Sequence, residues 1–152
     1  MAGPTSRSSS TVSAPGAAAA PALWCREVRA EWERAVAAFG AGQVSTYVIL
    51  GMGEDPGLTV EGCRRAIEMG VYPFVVPLRP TIGSLMADLP PPPPQYCESV
   101  YRRVVPYLAA RGLGARGVAA GCARCQACSA MSLLENSGDN GGRTYLPLIV
   151  NG

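Results

Sequence analysis

The chain contains no histidine. That excludes histidine-based general acid–base catalysis, Ser-His triads and histidine-ligated zinc in one step. There is no lysine either: all 13 basic residues are arginine, set against 11 acidic residues. The net charge of +2 is small. No basic run is interleaved with aromatics, so nucleic acid is not an expected partner. No apolar stretch reaches the ~18–20 residues needed to span a bilayer, so a membrane is not an expected partner. Residues 1–22 have almost no large apolar side chain, and Pro15, Gly16 and Pro21 interrupt their alanine stretch. Such a segment cannot offset its ordering entropy by burial, and it reads as a disordered tail over 1–24, not as an export signal. The expected location is therefore cytoplasmic, where thiols stay reduced.

What is present is an alternation of strand and helix signals. With 152 residues, one domain is the expectation. Residues 44–50, VSTYVIL, form an apolar run rich in β-branched residues. It breaks at Gly51-Met52-Gly53 and ends in Glu54-Asp55. A second apolar run covers 72–78. Between them the spacing predicts a helix over 58–69, with Val60, Cys63 and Ile67 as its apolar stripe. Asp55-Pro56 or Thr59 opens it, Glu61 sits in its first turn, and Gly70 closes it. Two strands joined by a helix make a right-handed βαβ crossover, the unit of parallel sheets. Ligands of such folds lie beyond the carboxyl ends of the strands. Here those ends carry Gly51, Gly53 and Glu54, and then Pro77, Leu78, Arg79 and Pro80.

Helices are predicted on either side of this unit. The first covers 25–39, with Val28, Trp32, Val36 and Phe39 at helical spacing and Gly40 as its stop. Five prolines at 90–94 predict a short polyproline II spacer. The last predicted helix covers 95–111, with Cys97, Val100, Val104 and Leu108 as its stripe, Pro106 as a kink and Gly112 as its stop. A loop over 136–143 and a short strand over 145–150 close the chain.

Six cysteines are the available metal or redox ligands. Cys122, Cys125 and Cys128 stand at C-x2-C-x2-C spacing, separated by small residues that leave room for the thiolates to converge. Bacterial ferredoxins place three ligands of a [4Fe–4S] cluster at this spacing. Zinc sites use C-x2-C pairs, usually two of them. The local count here is three, so iron–sulfur and zinc both remain open, as do unliganded or redox-active thiols. A fourth ligand could come from Cys97, Cys63, Cys25, a small molecule or another chain. Cys63, on its helical stripe, reads first as a small buried residue.

The stretch 44–80 resembles the radical SAM superfamily. Those enzymes carry a late-strand signature, G-x-I-x-G-x-x-E, and Ile49, Gly51 and Glu54 fall on it. Tyr47 stands at its leading glycine position. The phrase VYPFVVPLRP is similar to the sixth strand of the biotin-synthase-like branch. The likeness to a family encoded beside a nitrilase runs over 28–132 and takes in the cysteine triplet. The resemblance implies that Ile49, Gly51 and Glu54 flank the adenine of S-adenosylmethionine. It places Arg79 at the barrel mouth, where its guanidinium meets a carboxylate of cofactor or substrate or else a surface salt-bridge partner. The superfamily's catalytic motif, C-x3-C-x2-C, is absent from this sequence, so the resemblance assigns no catalytic residue. Cys122, Cys125 and Cys128 match instead a C-terminal, auxiliary cysteine motif.

The expected fold is therefore α/β: a partial (β/α) barrel fragment, parallel strands with flanking helices, plus a C-terminal cysteine-cluster loop. The expected divisions are 1–24, the tail; 25–118, the barrel portion; 119–132, the cysteine segment; and 133–152, a divergent tail. A full barrel takes about 250 residues, and roughly half that number follow the tail. This predicts a truncated barrel that leaves an edge open to a second copy or to a separately encoded N-terminal half-barrel. The expected function is iron–sulfur binding in the C-terminal part of a radical SAM protein that does not cleave S-adenosylmethionine alone. S-adenosylmethionine is an expected ligand only with the missing half-barrel supplied. The rival expectation is a zinc- or cluster-binding interaction module without catalytic activity. A Rossmann nucleotide site is disfavoured, because Pro56 occupies the position of the third glycine.

Overall fold

The computed structural model describes residues 26–119 and 121–135. The predicted tail at 1–24, Cys25, and the loop and strand predicted over 136–150 lie outside the described residues. The fold is mixed α/β, built on a two-stranded parallel sheet flanked by helices. Its elements run α1 (Arg26–Phe39), β1 (Val44–Leu50), α2 (Pro56–Glu68), β2 (Val71–Pro77) and α3 (Pro94–Arg111). A single 3-10 turn (Ala115–Gly117) and two short helices, α4 (Gly121–Cys125) and α5 (Met131–Glu135), complete it. None of the described helices is long and apolar enough to cross a membrane.

The predicted βαβ unit is present, with its ends shifted by one or two residues. α2 starts at Pro56, because the Asp55 carboxylate accepts the Leu58 N–H at 2.8 Å and proline fits the first turn. Glu61 consequently lies outside the first turn. It works as an ion-pair partner instead, accepting from Arg64 at 2.7 Å and from Arg65 at 2.9 Å. Arg64 also pairs with Glu68, as their i, i+4 spacing predicts. α3 starts at Pro94 and stops at Gly112, whose φ of 63° is the left-handed conformation glycine accepts freely.

β1 and β2 pair in parallel from Val44↔Val71 to Leu50↔Pro77. The Leu78 N–H donates to the Leu50 carbonyl at 2.7 Å, so the even-numbered residues of β2 direct their backbone toward β1. Pro73 and Pro77 are odd-numbered. Their missing N–H groups fall on the outer edge, where no ladder bond is lost. The Ser129 hydroxyl donates to the Val75 carbonyl on that same edge, at 2.5 Å.

The two faces of the sheet differ. α1 and α2 cover the face bearing Val44 and Val71, where Trp32 and Ala66 pack with Val71. On the opposite face the β2 residues Tyr72, Phe74 and Val76 are buried, whereas Tyr47 and Ile49 of β1 are 52% and 43% exposed. The C-terminal segment accounts for this asymmetry. Glu135 of α5 accepts the Tyr72 hydroxyl at 2.5 Å and the Ala115 N–H at 2.9 Å. The segment therefore lies over β2 and leaves β1 open. Among the described residues β1 also has no strand on its other edge.

Candidate functional site

Two places in the fold gather the residues that the sequence singles out. The first is the cysteine segment. Gln43, just ahead of β1, holds its start: the Gln43 amide donates to the Gly117 carbonyl at 2.9 Å and accepts the Ala119 N–H at 3.1 Å. α4 then carries Cys122 and Cys125 on one helical turn. Gln126 follows in the left-handed conformation at φ 58°, an uncommon setting for a residue other than glycine, and it turns the chain toward Cys128.

Cys122 and Cys128 pack against the main core, and Cys125 is exposed. The Tyr47 phenol lies near the Cys122 side chain. Its pKa is pushed up to about 12, first by that neighbour and then by desolvation. The Tyr47 ring is held edge-on against Phe74 with centroids 5.3 Å apart, as their pairing in the ladder requires. Cys122 thus lies beside the open face of the sheet at Tyr47, the residue that departs from the glycine of the late-strand signature.

The thiols suit a thiophilic metal in number and spacing. As placed, the Cys125 thiol donates to the Cys122 carbonyl at 3.4 Å. No three His, Cys, Asp or Glu side chains among the described residues are grouped to hold a metal ion. The expected convergence of the three thiolates is therefore not preformed: a helical turn, α4, stands where a cysteine-cluster loop was expected. Cys63 is fully buried between α2 and the sheet, as its stripe position predicts, and burial pushes its thiol up to about 12. Cys97 is buried in the α3 stripe. Cys25 lies outside the described residues.

The second place is the C-terminal end of the strands. Ile49 sits on the open face, apart from Glu54. Gly51 has φ 99°, and a methyl group added there would meet Pro92 Cδ at 2.8 Å. The polyproline run is thus packed directly on the glycine that the late-strand signature assigns to a nucleotide. The Glu54 carboxylate turns back on its own loop. It accepts the Gly51 N–H at 2.8 Å, the Met52 N–H at 2.8 Å and the Tyr96 hydroxyl at 2.6 Å. Partial burial works against its charge, but the donors of Tyr96, Gly51 and Met52 outweigh it and hold the pKa below its ordinary 4.5. Glu54 is therefore the anion that fills this small backbone nest.

Arg79 is placed elsewhere, on the rim of a groove of about 780 Å³ beyond the end of β2. The groove is walled by the prolines ahead of α3, the first turns of α3 and the segment 126–134. It brings Arg79 and Cys128 to one cavity and leaves Ile49, Gly51 and Glu54 out. Sequence reasoning missed Tyr47, Tyr96 and Glu135 as organising residues. Each acts through a partner 42 or more residues away or, for Tyr47, on another element. No family model, curated protein or solved structure matches the chain.

Proposed function

We propose that this chain is a thiolate-ligated iron–sulfur module in which Cys122, Cys125 and Cys128 hold a cluster beside the open face of the β1–β2 sheet. The observation that carries this is the C-x2-C-x2-C triplet, with Cys122 and Cys125 on one helical turn and Cys122 and Cys128 packed against the core. Binding would exchange the Cys125–Cys122 carbonyl hydrogen bond for a ligand bond, and such coupling of local order to metal binding is usual for thiolate sites. A cluster held there would supply electron transfer or a structural tie. Gln43 anchors the segment through Gly117 and Ala119.

In this reading the fold is the C-terminal portion of a radical-SAM-like barrel. The parallel pair, the open edge of β1 and its exposed Tyr47 and Ile49 support completion by further strands, from a second copy or a separate half-barrel. The chain alone is not expected to cleave S-adenosylmethionine, because it has no C-x3-C-x2-C triplet. The strand ends lend that cofactor little support, since Pro92 fills the space over Gly51 and the oxygens of Glu54 are engaged. The zinc-binding interaction module draws on the same three thiols, and the metal itself separates the two readings.

The test is anaerobic purification and reconstitution, followed by iron, sulfide and zinc analysis and a visible absorption spectrum. Iron and sulfide in equal amount, with a broad visible band lost in Cys125→Ala, is the expected result. One zinc per chain would assign the triplet to a structural zinc site. A folded chain that takes up neither metal would overturn the reading.

A further inference from the structure

The groove beyond β2 has a chemistry of its own in the metal-free chain, with Cys128 among its lining residues. Its volume of about 780 Å³ lies in the range of small-molecule sites. It sits at the carboxyl end of a parallel strand, where ligands of α/β folds collect. Its walls are largely apolar: Pro77, Pro92 and Pro94 on one side, Leu133 and Leu134 on the other. The prolines make these walls stiff, so little side-chain freedom is lost when something packs on them.

Two charged side chains line the groove, Arg79 and Glu98. Glu98 is already engaged, accepting from Arg102 at 2.6 Å in an i, i+4 pair on α3. Arg79 makes no ion pair among the described residues, and it is exposed. Among the described residues the groove therefore offers an apolar body and an unpaired cation, Arg79, at its rim. Gln126, at φ 58°, also lines it. Backbone held in a sparsely populated region is found disproportionately where a wall must be shaped for a ligand.

We propose that this groove binds a small amphipathic carboxylate, its apolar chain along the proline and leucine walls and its carboxylate on Arg79. The guanidinium fork matches a carboxylate through two parallel hydrogen bonds, which a neutral or cationic head cannot make.

Titration calorimetry of the full chain with octanoate tests this, with octanol and octylammonium as matched probes. Saturable octanoate binding is expected, with octanol weaker and octylammonium not binding. Arg79→Gln is expected to weaken octanoate about tenfold and to leave octanol unchanged. Ala130→Trp, which places a large ring on an exposed wall position, is expected to abolish binding of both. Arg79 and Ala130 are both surface residues, so circular dichroism should report unchanged folding in either variant. Absence of saturable octanoate binding would overturn the proposal. So would octylammonium binding as well as octanoate, or an unchanged octanoate affinity in Arg79→Gln.

Discussion

The Tyr96 hydroxyl donates to Glu54 Oε1 at 2.6 Å, joining the first turn of α3 to the loop that leaves β1. This bond closes the βαβ unit at its carboxyl end, because the same carboxylate accepts the Gly51 and Met52 N–H groups. The folded pKa of Glu54 lies below its ordinary 4.5. The charged form is thus favoured by folding, and its contribution to stability is present above pH 4.5 and is lost as the pH falls through the lower folded value. Tyr96→Phe removes one of the donors that hold the pKa down. It is expected to cost about 1 kcal/mol at pH 7 and to flatten the decline of stability below pH 4.5. Urea unfolding midpoints at neutral and acid pH measure both, and an unaltered pH profile in the variant would count against this role.

Pro92 and Gly51 form a second tie at the same end of the fold. Gly51→Ala places a methyl group 2.8 Å from Pro92 Cδ and puts alanine at φ 99°. Together the clash and the left-handed backbone are expected to cost on the order of 2–4 kcal/mol. Pro92→Gly removes the three proline atoms that the methyl group meets. In that background the alanine should cost only the backbone share, roughly 1–2 kcal/mol. Additive costs in the double-mutant cycle would show that the proline does not press on Gly51.

The local parts of this architecture were legible in the sequence. β1, α2 and β2 announce themselves by period and punctuation: the VSTYVIL run, Asp55-Pro56 as a helix start, the Val60-Cys63-Ile67 stripe, and Gly70. The spacing of Pro73 and Pro77 also held usable information, since two prolines an even number apart must share the free edge of a strand. The C-terminal third was less legible for a physical reason. α4 and α5 have five residues each, too few to show a stripe. They are held by distant partners: Gln43 with Gly117 and Ala119, Tyr72 with Glu135, and Val75 with Ser129. Nothing in local spacing announces such pairs. The likeness to a nucleotide-flanking strand picked out Gly51 and Glu54 as residues with special backbone and charge, but the partners they meet in the fold are Pro92 and Tyr96.

The cysteines divide by environment, which gives a direct check on fold and site together. Cys63 is fully buried and its thiol is pushed up to about 12 by burial, so almost none of it is thiolate at pH 8. Cys97 is also buried, whereas Cys125 is exposed and Cys122 and Cys128 are half-buried. Among the described cysteines, iodoacetamide on the native, metal-free chain is expected to modify Cys125 first, Cys122 and Cys128 next, and Cys63 only after unfolding. Peptide mass spectrometry gives the order. Metal loading should then protect Cys122, Cys125 and Cys128 together, as one ligand set, and leave Cys63 reactive only after unfolding, as before. If Cys63 reacts as fast as Cys125, the α2–sheet core is not packed as described. If only one of the three segment cysteines is protected, they do not share a metal.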